Sequence, residues 1–285
     1  MRKLIAPAIN DSAILTELSS SKANSATVIR SQLALVSSRY EHYRASRGNP
    51  KLVQKDDALA AFKDHFIELY ETPPVALSFI EDLRASITGA CPVCGRDALG
   101  TLDHYLPKAD FSEFSFFSKN LIPACNRCNN SRSNLVQGAG DSDRPVHPYY
   151  DEFLVNRVIT VDIQPDWRAP IINVIPFGLT NDALATMEWH IANVIHPSGF
   201  KEYAEGIWGQ ITSQPVEFFQ GKTTIKALKG VLAQLCQIET IVSGTANSWR
   251  SALFHGIGNN SEALKYLKSL ITKQMHSRKP FEIED

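Results

Sequence analysis

Apolar residues recur at helical spacing through most of this chain and break from it in the middle. Over residues 28–47, Ile29, Leu33, Val36, Tyr40 and Tyr43 fall three or four apart on one helical face, and Gly48-Asn49-Pro50 closes the run. A second stripe, Leu59, Phe62, Phe66 and Leu69, stops at Thr72-Pro73-Pro74. A third, Leu77, Ile80, Leu83 and Ile87, reaches Gly89, a residue suited to a left-handed C-terminal cap. The N-terminal residues 1–27 end in the polar run Ser19-Ser20-Ser21-Lys22-Ala23-Asn24-Ser25, which reads as a loop or flexible arm. Further on, 158–163 alternates with period two as a strand, and 171–179 reads as another. Helical spacing returns from about Ala183: Ile225, Leu228, Leu232, Leu235 and Ile238 form one stripe, and Ser261-Glu262 opens a last helix through Leu264, Leu267 and Ile271. The pattern predicts a mainly helical α+β chain in three parts: a helical N-terminal region (1–89), a central segment (90–151), and a mainly helical packing or partner region (152–285).

The central segment obeys neither period because its residues are chosen for chemistry. Cys91-Pro92-Val93-Cys94 and Cys125-Asn126-Arg127-Cys128 form two C-x-x-C knuckles. Each turn lets two thiolates reach one ion, so Cys91, Cys94, Cys125 and Cys128 make the tetrahedral four-sulfur shell that Zn²⁺ prefers. Cys236, alone in an apolar helical stripe, reads as a small core residue. Clustered pairs of this kind in a chain of this size are metal ligands of a reducing compartment and not a disulfide framework.

Between the knuckles lie Asp103-His104, and Asn120 and Asn129 flank the second knuckle. Hydrolysis of a phosphodiester needs a base for water and positive charge at the departing oxygen. His104 titrates near neutrality and suits the first task; Asp103 is a hard oxygen donor suited to Mg²⁺ or a similar ion. If Leu102 to Tyr105 is a strand, Asp103 and His104 point to opposite faces. Asn120 opens the apolar Leu121-Ile122, where a second strand can return alongside the first, and its amide can brace the imidazole. Asn129 stands where a helix should begin and can place a carbonyl oxygen on the ion. The order expected is strand, long loop, strand, helix.

These residues, taken together, resemble the HNH endonuclease family, whose ββα-metal finger is often stapled by such a pair of knuckles. The resemblance implies that His104 is the general base, that Asp103 and Asn129 hold a catalytic divalent ion, that Asn120 orients His104, and that Arg132 contacts a substrate phosphate. The family's third position is often His; Asn129 removes a nitrogen donor, which favours Mg²⁺ or Mn²⁺ at that ion. The zinc would be structural. The strings Leu102-Asp103-His104-Tyr105-Leu106-Pro107-Lys108 and His147-Pro148-Tyr149-Tyr150-Asp151 are similar to HNH proteins of bacterial anti-phage operons. In Septu-type systems of that kind the partner is an ABC-type ATPase. The implied function is a metal-dependent endonuclease, acting on DNA first and RNA second, as a defence effector. Two other classes stay open: a non-catalytic zinc-finger adaptor that binds nucleic acid, and an assembly subunit of an ATPase complex.

Charge limits these readings. The chain carries 29 basic and 30 acidic residues, net −1, and residues 91–134 hold five basic against four acidic. That is no footprint for an unaided grip on nucleic acid, so a partner or a local patch has to supply the phosphate affinity. Arg30, Arg39, Arg44 and Arg47, with His42, lie on the first long helix and read either as a phosphate arm or as a solvated face. Lys108 reads as a phosphate contact or a loop cap, and His147 as a substrate neighbour or a packed ring. The four tryptophans, Trp167, Trp189, Trp208 and Trp249, read as core or interface anchors. The N-terminal apolar run is cut by Pro7 and Asn10-Asp11, and no stretch is long enough to span a bilayer, so a cytoplasmic protein is expected.

Overall fold

The computed structural model describes residues 1–22, 25–85, 88–97, 100–132 and 134–277, the side chain of residue 132 excepted. The chain divides into two compact units. The first comprises 1–155 and 179–198, the second 156–178 and 199–285. The helical lead and the central segment therefore fall in one unit, to which 179–198 is added. The fold is mainly helical α+β with two small two-stranded sheets.

The first unit opens with α1 (Asp11–Ser20), a helix that extends into the first two residues, Ser19 and Ser20, of the run expected as loop. Asn10 caps it by accepting from the Ala13 N–H at 3.1 Å, and Leu15 and Leu18 are buried. The serines that argued against a helix donate back to the chain: Ser19 and Ser20 hydroxyls both reach the Thr16 carbonyl, at 2.7 and 3.2 Å. Such back-bonding makes serine tolerable inside a helix. Helix α2 (Ala26–Ala45) follows, burying Ile29, Val36, Tyr40 and Tyr43 of the expected stripe. The second expected helix is two, α3 (Asp57–Ala60) and α4 (Lys63–Glu71), and the third is α5 (Phe79–Ala85). Ile87, assigned to that third stripe, lies outside the described residues, and Gly89 takes the left-handed conformation (φ 81°).

Strands β1 (Thr101–His104) and β2 (Leu121–Ala124) pair antiparallel, with Asp103 opposite Ile122 and His104 opposite Leu121. Helix α6 (Asn126–Arg132) follows directly, starting three residues earlier than the sequence suggested. The long connection between the strands is a packed plug. Phe111, Phe114, Phe116 and Phe117 are all buried there, each ring contributing on the order of 1.5–3 kcal/mol by leaving water. Tyr40 and Tyr43 of α2 meet them, with ring centroids 4.2 Å apart for Tyr40–Phe117 and 5.0 Å for Tyr43–Phe114.

Of the arginines read as a solvated face or phosphate arm, Arg30 and Arg47 are exposed and Arg39 and Arg44 are turned onto buried carboxylates. Arg39 donates twice to the buried Glu113, at 2.9 and 2.7 Å, and Arg44 pairs with the buried Asp11 at 3.3 Å. Asp11 also accepts from the Ser118 N–H and hydroxyl, at 3.0 and 2.9 Å. Arg30 donates to the Ser19 carbonyl, and Arg47 to that of Tyr150. Arg39 directly, and Arg44 through Asp11, tie α2 to the plug between β1 and β2. The unit is completed by α7 (Asn181–His190), which runs into a π-helical turn at Ile191–Ile195.

In the second unit β3 (Ile159–Gln164) and β4 (Ile171–Pro176) pair antiparallel from Ile159–Pro176 to Gln164–Ile171. Around this hairpin come α8 (Phe200–Ser213), α9 (Pro215–Phe218), α10 (Ile225–Ser243), α11 (Trp249–Asn259) and α12 (Ser261–Ser277). Trp208 and Trp249 are core residues, as read from the sequence. Gly256 lets α11 lie directly on β3: a Cβ there would stand 2.2 Å from Val161 Cγ2 and 2.5 Å from the Val161 carbonyl oxygen. The stripe of α10 is only partly covered. Leu228 and Leu232 are buried, but Ile238 is 45% exposed. Among the described residues no helix is long and apolar enough to cross a membrane.

Candidate metal centre and adjoining residues

The sequence Cys-Pro-Val-Cys-Gly makes its own turn. The Gly95 N–H returns to the Cys91 carbonyl at 2.8 Å, with Gly95 at φ 87°, and the Cys91 N–H reaches the Arg96 carbonyl at 2.8 Å. The second knuckle is the start of α6. The Cys128 N–H points at Cys125 Sγ (3.4 Å) and the Asn129 N–H at the Cys125 carbonyl (3.1 Å), so a sulfur satisfies one of the helix's open N–H groups. The Cys125 N–H in turn points at Cys91 Sγ, at 3.4 Å.

The four sulfurs are buried and lie within 4.8 Å of one another. Cys94 Sγ and Cys125 Sγ are 3.8 Å apart, which matches the edge of a tetrahedron with bonds of about 2.3 Å to a central zinc. Burial, with the neighbouring sulfurs adding to it, pushes the Cys94 thiol well above its ordinary range. Four thiols this close in a dry site cannot ionise together without a cation, and the donor set fits structural Zn²⁺. The surrounding shell is built by α7. His190 is wholly buried, its Nε2–H donating to the Val93 carbonyl at 2.7 Å while Nδ1 accepts from the Val146 N–H at 3.2 Å. Nothing in the apolar spacing around His190 marked it as a brace of the first knuckle.

Asp103 and His104 end β1, on opposite faces, and are 5% and 9% exposed. His104 Nε2 lies 2.8 Å from the Ser115 carbonyl. A carbonyl only accepts, so Nε2 carries the hydrogen of this bond. The ring stands edge-on to Tyr70 of α4, with centroids 4.5 Å apart. On the other face, Asn129 Nδ2 donates to Thr101 Oγ1 at 3.1 Å. Thr101 is two residues before Asp103, on the same side of the strand. Asn129 and Asp103 thus share the α6 side of the hairpin. With its nitrogen on Thr101, the atom Asn129 can offer a cation is Oδ1.

Asn120 sits elsewhere than on the imidazole. Its Nδ2 donates to the Leu106 and Phe114 carbonyls, at 3.0 and 3.1 Å, and Oδ1 accepts from the Leu106 N–H (2.7 Å) and the Tyr43 hydroxyl (3.1 Å). Two donors and two lone pairs are all an amide has, so Asn120 is saturated by the plug. The Phe114 carbonyl it holds is one residue before the Ser115 carbonyl that meets His104. Ser115 itself was invisible to sequence reasoning, since a backbone carbonyl leaves no side-chain signature.

His147 is a packed ring. Nε2 meets the Tyr43 hydroxyl at 3.1 Å, Nδ1 accepts from the Tyr149 N–H at 3.2 Å, and Tyr105 lies against it with centroids 4.1 Å apart. The following Asp151 holds Arg144 in two bonds, at 2.8 and 2.7 Å, and the Tyr149 hydroxyl donates to the Leu121 carbonyl at 2.9 Å. The segment from 147 to 151 is therefore a backing plate for β2. Lys108 is on the rim, paired with Glu71 at 2.6 Å. Arg132 ends α6, and its side chain lies outside the described residues.

Among the described residues the four-cysteine cluster is the only group of three or more His, Cys, Asp or Glu side chains able to share an ion. A second cation would rest on one carboxylate and one amide oxygen. Comparison with known proteins adds one partial likeness. The chain is 33% identical to protein ea31 of Escherichia phage lambda over 78 residues, which are 27% of this chain and 26% of that protein. The chain thus spans about a quarter of the length of the curated relative it matches. No protein-family model matches the chain, and no solved structure does.

Proposed function

We propose that this protein is a metal-dependent endonuclease of the HNH type, hydrolysing phosphodiester bonds of nucleic acid, DNA first. The observation that carries this reading is the contact of His104 Nε2 with the Ser115 carbonyl at 2.8 Å, which fixes the ring at the end of β1. In the proposed reaction His104 takes a proton from water. Asp103 and Asn129 offer hard oxygens on the α6 side of the same hairpin, and a divalent ion held there would stabilise charge on the departing oxygen. The zinc fitted by the four cysteines does no chemistry in this reading; it fixes α6 against β1 and so Asn129 near Asp103. The sequence resemblance to the HNH family supports the same roles. By that resemblance the chain serves as an effector of bacterial anti-phage defence, held by an ABC-type ATPase partner, and the net charge of −1 favours such help in reaching nucleic acid.

A second reading, a non-catalytic zinc-finger adaptor, draws on the burial of Asp103 and His104. Nicking of supercoiled plasmid with Mg²⁺ or Mn²⁺ separates the two. Wild type should cut, and His104→Ala should lose at least about a hundredfold, the usual contribution of a positioned base. Equal and negligible cutting by both would establish the adaptor.

A further inference from the structure

Several cations of the first unit are committed to the protein itself. Arg39, Arg44 and Arg144 are turned onto buried carboxylates, and Lys119 onto the Pro7 carbonyl. Lys108 and Arg84 are different. They come from separate elements, the plug and α5, yet converge on one ring. Lys108 Nζ lies 5.3 Å and the Arg84 guanidinium carbon 5.7 Å from the centroid of Tyr70, the ring whose edge meets His104 at 4.5 Å. Arg84 also donates to the Tyr70 hydroxyl at 3.2 Å. Their side chains are 33% and 39% exposed, and each is paired with a more exposed acid, Lys108 with Glu71 and Arg84 with Glu81.

Two rim cations sharing a ring make a site for two oxygens of one anion, or for neighbouring phosphates of one strand. Exposed ion pairs are weak, so a phosphate that enters with several charge-assisted bonds displaces a glutamate at small cost. We propose that Lys108, Arg84 and the Tyr70 ring form a clamp for the phosphates flanking the one that reaches His104, with Glu71 and Glu81 holding the two cations in place until nucleic acid replaces them. Lys108 and Arg84 bind substrate; Tyr70 is a positioning residue that aims both cations and packs the base. This rests on the nuclease reading for the role of His104, but the clamp is a binding site in its own right.

The test is fluorescence anisotropy of the full chain with labelled 20-base-pair and single-stranded 20-nucleotide DNA, in Ca²⁺ and across a salt series, alongside plasmid nicking. In the double variant Lys108→Ala/Arg84→Ala the logarithmic salt slope should fall by about two on duplex, one for each phosphate no longer neutralised. Glu71→Gln/Glu81→Gln should bind more tightly at low salt, roughly threefold for each charge removed at close range in water. Tyr70→Phe, which keeps the ring and removes the hydroxyl that Arg84 reaches, should lower the slope by less than Arg84→Ala does. All four acid and base positions are at the rim, and circular dichroism checks that the variants fold. An unchanged slope in the double variant, no gain from the glutamine pair, or no binding of either DNA by wild type would each overturn the clamp. Nicking that depends on His104 together with an unchanged slope sinks the clamp alone. A slope that responds as expected in a chain that never cuts sinks the nuclease reading and leaves the clamp as a binding site.

Discussion

Replacing Asn120 with alanine should cost this protein far more stability than the loss of one small polar side chain suggests. The residue is wholly buried. Its amide satisfies the Leu106 N–H, the Leu106 carbonyl, the Phe114 carbonyl and the Tyr43 hydroxyl. A buried group left without a partner costs about 1–3 kcal/mol. Four such groups set an upper bound that is not reached, because a water can enter a polar cavity of this size and Tyr43 retains His147. The net loss should be roughly 3–5 kcal/mol, large against a usual stability of about 5–15 kcal/mol. Denaturant titration in the presence of zinc measures it. Long-range ¹⁵N correlation on the histidines then reads the tautomer of His104, which should become mixed as the Phe114–Ser115 peptide loosens. Asn120→Asp should fare no better: it keeps the shape but turns an oxygen toward two carbonyls. A loss below about 1 kcal/mol, with the His104 tautomer changed all the same, would refute the account. It would mean that Asn120 touches the imidazole directly in solution and that the plug does not depend on it.

Three further outcomes follow from the same structure. Cys94→Ser, or removal of metal by a strong chelator, should abolish the fixed tertiary structure around β1, β2 and α6. A structural zinc contributes about 10–16 kcal/mol at neutral pH, as much as a whole domain's stability; metal analysis should fall from one zinc per chain, and a near-ultraviolet spectrum unchanged by chelation would contradict the four-sulfur site. Arg39→Met strands Glu113, whose carboxyl burial already holds above its usual range despite Arg39; the variant should lose about 3–5 kcal/mol at neutral pH. A carboxylate with a raised folded pKa contributes stability below its unfolded pKa and loses it as pH rises through the folded value, so the variant's deficit should shrink on acidification, and a deficit that grows toward low pH would contradict the pairing. Gly256→Ala should lower the melting temperature, since its Cβ would sit 2.2 Å from Val161 Cγ2 and 2.5 Å from a backbone oxygen; overpacking of this kind costs about 1–3 kcal/mol or more.

Much of this architecture could be read from the chain because it is written in local patterns. The stripe of α2, the two knuckles, the order strand, strand, helix, and the hairpin β3–β4 all follow from spacing within a few residues. What escaped depends on partners far away in sequence. The end of helix α1 was hidden by serines that look like loop residues until their hydroxyls are seen to bond back to Thr16. The arginines of α2 looked solvent-facing because nothing local announces that Glu113 and Asp11 will meet them from 74 and 33 residues away. Asn120 was placed in the right strand-and-loop context but with the wrong neighbour. Its four bonds go to a plug whose fold no short-range pattern gives.

The net charge of −1 also reads differently once the partners are known. A count of charges treats every arginine as available to a phosphate, whereas Arg30, Arg39, Arg44, Arg47 and Arg144 each hold an oxygen of the protein itself. Few of these arginines are left for a phosphate, which agrees with the need for help in reaching nucleic acid drawn from the net charge. What matters is the few cations that remain displaceable close to His104. Lys108 and Arg84 are such a pair, each opposed by a glutamate that weakens its field at a distance and yields at close range. A site of this kind attracts a strand feebly from afar and holds it when a phosphate has replaced the acids, so the chain alone should bind weakly and best at low salt.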